Sequence, residues 1–292
     1  MLTVFTLSLF LSAALLFSIQ LMFTKMILPV LGGTPAVWNT AMMCFQAMLF
    51  LGYAYAHATT RFLSTRGQAL LHLSLMVVAL VTLPVSASEN WLPPTDSNPV
   101  FWLVGVLLLS IGLPFFVIAA NAPMLQSWFG STSHPAASNP YFLYSASNLG
   151  SVLALLSYPA LIEPLLRLDQ QSWAWTGIYA LLVGLTAACA ILVWRVLGPV
   201  AQKIKSMKEN SQWVERPEVS SVTMLQRGKW LVLSFVPSSL LLGVTKFLTT
   251  DVAAVPLLWV LPLVLYLATF VNVFARNSLI SHRVAVRIQP FF

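Results

Sequence analysis

Residues 18–38 read SIQLMFTKMILPVLGGTPAVW, an apolar helical run interrupted by Lys25 and followed by a Gly-Gly-Thr-Pro turn. The stretch returns, displaced along the chain, at 239–259 as SLLLGVTKFLTTDVAAVPLLW. Aligned, the two copies share Ser18/Ser239, Leu21/Leu242, Thr24/Thr245, Lys25/Lys246, Pro35/Pro256 and Trp38/Trp259. A Thr-Lys pair, a proline and a tryptophan are scarce residues in so apolar a chain, so the match reads as an internal repeat. An ammonium inside a membrane helix costs about 2.5–3.5 kcal/mol on insertion scales, which makes a lysine that recurs there a feature to explain.

Composition sets the class. The 292 residues are 58% hydrophobic and 8% charged, against about 25% charged in an ordinary soluble domain. A spanning helix needs about 20 mostly apolar residues, and the runs that qualify lie near 4–30, 36–58, 68–87, 100–125, 141–165, 173–196, 230–249 and 253–275. The expectation is an all-α, polytopic transmembrane bundle of about eight helices. The opening run lacks the basic n-region of a signal peptide and continues past the usual length of its apolar core, so it reads as the first span. A polar, basic segment at 198–229 separates residues 1–197, a first six-helix membrane half, from residues 230–292, the start of a second.

Lys and Arg remain in cytoplasmic loops. With a cytoplasmic N-terminus, alternate loops collect Arg61 and Arg66, then the cluster from Arg195 to Lys229, then Arg276, Arg283 and Arg287. The other side keeps only Arg167, beside Glu89, Asp96, Asp169 and Asp251. Both termini are thus expected on the cytoplasmic side of a bacterial inner membrane, and the net charge of +7 is a topology signal. No basic stripe interleaved with aromatics points to nucleic acid. An even number of helices between the repeats gives both copies the same direction. That is a parallel repeat of two halves, as in the major facilitator superfamily, with the second half incomplete and the chain reading as truncated.

Residues able to carry function are few. Lys25 and Lys246 either snorkel to the outer interface or face a central cavity, with Glu163 and Asp251 as counter-charges on the same side. Asn39, Met43, Gln46, Phe50, Tyr53 and His57 fall on one face of the second span. Tyr141, Tyr144, Ser145, Asn148, Ser151 and Tyr158 repeat the device on the fifth, where Ser147, Gly150 and Ala154 allow close approach of a neighbour. Both stripes read either as interhelical hydrogen bonding or as the lining of a solute cavity. Asn121 and Pro123 are expected to break or end the fourth helix. No GxG pair, GxSxG or HExxH can be written, and Cys44 and Cys189 have no metal-ligand neighbours. No catalytic residue, metal or cofactor is therefore expected in this chain.

Three segments carry a resemblance: QLMFTKMILPVLGGTPAVWNTAMMCFQAMLFLGYAYAH at 20–57, NAPMLQSWF with NPYFLYSASNLGSVLALLSYPALIEP at 121–164, and LTTDVAAVPLLWVLPLVLYLATF at 248–270. They resemble the membrane part of bacterial spermidine synthase-like fusion proteins. These join a major-facilitator-like helical region to a C-terminal domain similar to the aminopropyltransferases. The resemblance implies a polyamine-linked protein using decarboxylated S-adenosylmethionine, but the glycine-rich loop and acidic pocket of that chemistry belong to a domain beyond residue 292. The partners expected are the lipid bilayer, a small solute (a polyamine or another), and a fused or separate cytoplasmic catalytic domain. A stand-alone transporter and a non-transporting scaffold are the alternatives.

Overall fold

The computed structural model describes residues 1–31, 35–86, 99–132, 134–138, 140, 142–210, 223–248 and 260–275, and 284 and 287 singly. Side chains at 35, 36, 38, 138 and 196–210 are outside that description. Among the described residues the chain is helical without strands: α1 (Leu2–Leu31), α2 (Pro35–Phe62), α3 (Thr65–Leu80), α4 (Pro99–Gly130), α5 (Phe142–Leu165), α6 (Leu168–Asn210), α7 (Met224–Phe247) and α8 (Val260–Phe274). Of these, α1, α4, α5, α6 through Arg195, and α7 are long and apolar enough to cross a membrane, which marks the chain as a membrane protein. α2 has 28 residues but carries Asn39, Gln46 and His57; α3 and α8 are shorter.

Helix starts follow local chemistry. Ser64 caps α3, its hydroxyl accepting from the Gly67 N–H at 3.3 Å. α7 opens on a full capping box, with Thr223 and Gln226 each bonding the other's backbone N–H. α2 and α4 begin at prolines, whose missing N–H costs nothing in a first turn.

Two compact units result, Met1–Trp194 with Leu267–Phe292, and Arg195–Tyr266. The expected 230–292 segment is divided, because the last turns of α8 pack on α5. Ser145 Oγ donates to the Val271 carbonyl at 3.2 Å, and the Tyr144 and Phe274 rings lie 5.4 Å apart. α6 also runs to Asn210, into the segment read as a linker at 198–229; the residues there, AQKIKSMKEN, are mostly good helix formers.

Within the first unit, contacts fix the helix directions. Phe5 meets Phe129 and Ser12 bonds the Ile118 carbonyl, so α1 and α4 are antiparallel. Gln68 with Trp128 and His72 with Asn121 make α3 antiparallel to α4. Phe45 on Phe115 and Gly52 on Ala119 make α2 parallel to α4. Gly150 on Phe10 and Glu163 on Lys25 make α5 parallel to α1, while Ser8 by Cys189 and Trp175 on the Leu15 carbonyl make α6 antiparallel to it. Six helices thus alternate in direction.

Two glycines set the closest approaches. A Cβ at Gly150 would collide with the Phe10 carbonyl, and one at Gly52 would lie 2.8 Å from Ala119 Cβ and 3.0 Å from the Phe116 carbonyl. Backbones touch there because nothing intervenes. Outward, large apolar side chains stand free, Phe101 at 85% and Leu109 at 75% exposure, as a lipid-facing surface permits.

The helix break expected at Asn121 and Pro123 is absent: Leu113–Gly130 is continuous α-helix with Pro123 inside it. An exposed helix would lose about 3 kcal/mol to such a proline. Here the backbone of α2 at Gly52 lies against the Phe116–Ala120 turn, and packed neighbours let a membrane helix keep its course through proline. The irregularities sit elsewhere, as π-helical turns at Leu108–Gly112 and Tyr158–Ile162. Each adjoins or contains a proline, Pro114 and Pro159, whose missing N–H cannot close an ordinary turn.

Candidate functional site

The start of α1 and of α5 and the ends of α2 and α4 meet at one end of the first unit. A cleft of about 310 Å³ opens there between α2, α4 and α5. From α2 it takes Tyr53, His57 and Thr60; from α4, Pro123, Gln126 and Ser127; from α5, Tyr144. Helical spacing explains the first group, since steps of three and four return to one face. Pro123 stays on the wall because the helix does not break.

The wall mixes polar side chains with Ala56, Ala122 and Pro123 and holds no carboxylate. Gln126 Nε2 is buried and has no hydrogen-bond partner, a state it shares among the described residues with Asn121 Nδ2 and Trp194 Nε1. Arg61, one turn beyond His57, places its guanidinium 5.7 Å from the Phe62 ring centroid. The carboxylates whose side chains are described, Glu163 and Asp169, belong to the far end of the unit: Glu163 ends α5 and Asp169 begins α6. Nineteen residues separate Tyr144 from Glu163 on α5, roughly 29 Å at 1.5 Å per residue, close to the ~30 Å hydrocarbon core of a bilayer.

At that far end Lys25 Nζ contacts Glu163 Oε1, the two side chains 41% and 25% exposed. Lys246 lies in the last turn of α7, in the second unit, and Asp251 is outside the described residues. Asn39 and Gln46 are exposed on α2 and do not line the cleft, unlike Tyr53 and His57 of the same stripe. The α5 stripe divides further. Tyr144 lines the cleft; Asn148 Nδ2 donates to its own helix at the Tyr144 carbonyl, 2.7 Å; Tyr158 OH donates to Gln171 Oε1, 3.0 Å, on α6. Tyr141 is outside the described residues.

Behind the cleft wall lies a buried polar group that periodicity did not single out. Asn121 Oδ1 is 3.3 Å from His72 Nε2 and 3.4 Å from Thr186 Oγ1, and all three residues have no exposed surface. Nearby, Trp128 Nε1 donates to Gln68 Oε1 at 2.9 Å. These bonds tie α3, α4 and α6 together in a medium where an unpaired group is costly. Gln126, Ser127 and Thr60 were missed as cleft residues. Their available signal was the pair of polar residues five and six positions after Asn121 in an apolar run, and, for Thr60, its place three residues after His57 on the α2 stripe.

Comparison with protein-family models, curated proteins and solved structures returned no match. The chemistry of the site therefore rests on its own residues. Among the described residues no group of three His, Cys, Asp or Glu is disposed to hold a metal ion. What the cleft can do is bind: two phenols, a hydroxyl pair, an imidazole and an amide surround a volume sized for a small organic molecule.

Proposed function

We propose that the chain is a major-facilitator-like membrane bundle that binds and moves a small solute, the membrane region of a spermidine synthase-like protein. The observation that carries the solute reading is the cleft, whose polar lining lies on helices otherwise built for lipid. Six alternating helices support a first half of two, with the repeat at 239–259 opening the second. Arg61 and Arg66 at the cleft end support a cytoplasmic cleft mouth and an inner-membrane location. In the fusion reading, aminopropyl transfer belongs to a domain on that side, and the bundle anchors it.

Counterflow into proteoliposomes tests this. Vesicles containing the chain accumulate at least one labelled solute from a panel of amines, amino acids and organic acids, and Ala56→Trp, which fills the cleft, abolishes the flux. Accumulation equal to that of protein-free vesicles across the panel would instead support the scaffold.

A further inference from the structure

α6 is longer than a membrane crossing requires. Its 43 residues, Leu168–Asn210, make roughly 65 Å of helix at 1.5 Å per residue, about twice the ~30 Å hydrocarbon core of a bilayer. The stretch apolar enough to cross ends at Arg195. Residues 196–210, roughly 22 Å of helix, lie beyond it and read VLGPVAQKIKSMKEN. Because successive helical positions turn by about 100°, 196, 197, 200, 204 and 207 share one face. They are Val196, Leu197, Val200, Ile204 and Met207. Lys203 and Lys208 fall at the two borders of that stripe, while Gln202, Lys205, Ser206 and Glu209 fall opposite.

An apolar stripe bordered by lysines is the pattern of a helix that lies in a membrane interface. Its apolar face enters the acyl boundary, and lysine stems follow that face while their ammonium groups reach the headgroups. A stalk standing in water would leave the same stripe hydrated. Lys203, Lys205 and Lys208 against the one carboxylate of Glu209 give the surface a sign, that of anionic headgroup phosphates. A helix this short binds weakly when free, but here it is held covalently at the end of a span. Docking is then intramolecular, and the high local concentration offsets the weak affinity. Gly198 and Pro199, directly after the span, form the joint at which the helix tilts, since proline removes a backbone hydrogen bond there.

We propose that residues 196–210 are an interfacial helix that docks on anionic lipid of the cytoplasmic leaflet, apolar face down, with Lys203 and Lys208 at the headgroup phosphates. The side of the membrane rests on the inner-membrane reading above; the docking is independent of the cleft. The connection between the two halves is then a membrane-surface element that responds to the charge of the leaflet.

Nitroxide scanning tests this. The 292-residue chain, in a background lacking Cys44 and Cys189, receives a single labelled cysteine as Gln202→Cys, Ile204→Cys, Ser206→Cys or Met207→Cys. It is placed in nanodiscs of phosphatidylcholine, with or without phosphatidylglycerol; nanodiscs present both faces, so orientation does not enter the result. With phosphatidylglycerol, labels at 204 and 207 collide more with dissolved oxygen than with a water-soluble nickel chelate, and labels at 202 and 206 do the reverse. Adding Lys203→Gln and Lys208→Gln lowers the ratio of immobilised to mobile label at 204 by roughly 25-fold, about fivefold per lysine. Omitting phosphatidylglycerol or raising the salt also lowers it. Folding of each variant is checked by size-exclusion profile. Equal collision behaviour at all four positions overturns the docking, as does shielding of 204 and 207 from both reagents, which means that protein covers the stripe. A contrast between the faces that ignores both phosphatidylglycerol and the lysines overturns the assignment to anionic lipid. Each of these outcomes leaves the counterflow result, and with it the solute reading, untouched.

Discussion

Asn121 faces two side chains with one oxygen. With His72 as the Nε2–H tautomer, both His72 and Thr186 donate to Asn121 Oδ1, and none of the three has water as an alternative partner. Asn121→Leu leaves two buried donors unpaired and is expected to destabilise the bundle by about 1–3 kcal/mol, measured as a shift in detergent-unfolding free energy. Adding His72→Leu to it costs less than the sum of the two single changes, because one orphan is then removed. Lys25 and Glu163 behave differently, being part-exposed. A double-mutant cycle of Lys25→Met and Glu163→Gln is expected to give a coupling below about 1 kcal/mol. Charges are rare in these helices, so Lys25 and Glu163 draw notice in the sequence. Gln126 does not, since a glutamine near a helix end has many ordinary uses, and only the fold reveals that its amide is buried without a partner.

At the scale of elements, Pro123 separates sequence from structure most clearly. Proline read locally ends a helix, whereas α4 continues because Gly52 brings the α2 backbone against the preceding turn. The relevant contact lies some seventy residues away in the chain, beyond the reach of local pattern. Pro123→Ala is therefore expected to leave helical content by circular dichroism unchanged while altering the cleft wall; a gain of a helical turn would restore the break. Gly150→Val drives a side chain into the Phe10 backbone, with an expected loss of about 1–3 kcal/mol from overpacking, read in the same unfolding assay. Apolar run lengths made the helices themselves legible, since a membrane crossing demands length and little else. The π turns were not, because proline marks many kinds of irregularity.

For the whole molecule, the readable quantity is the alternation of direction. Loops at opposite ends of the first unit carry exposed positions, Leu63 after α2 and Leu166 after α5. Cysteines placed there, in a background lacking Cys44 and Cys189, are expected to react with a membrane-impermeant maleimide from opposite sides, Leu63→Cys only from the cytoplasm. Labelling of both from one side would overturn the proposal that the six alternating helices each cross the membrane. Basic-residue placement makes the side predictable, while the partition of α8 between the two units is invisible without the Ser145–Val271 contact.

Gly150 lays α1 on α5, and Gly52 lays α2 on α4, with backbone against backbone in each pair. Helices joined so closely share their displacements, as packed elements rearrange by sliding more readily than by bending. The cleft draws its walls from both pairs, Tyr144 from one and the remaining residues from the other. The cleft thus lies across the seam between the two pairs, where a shift of one pair against the other would change its width. Between the two pairs Ser12 Oγ donates to the Ile118 carbonyl at a long 3.3 Å, a bond that sliding of one pair past the other would stretch.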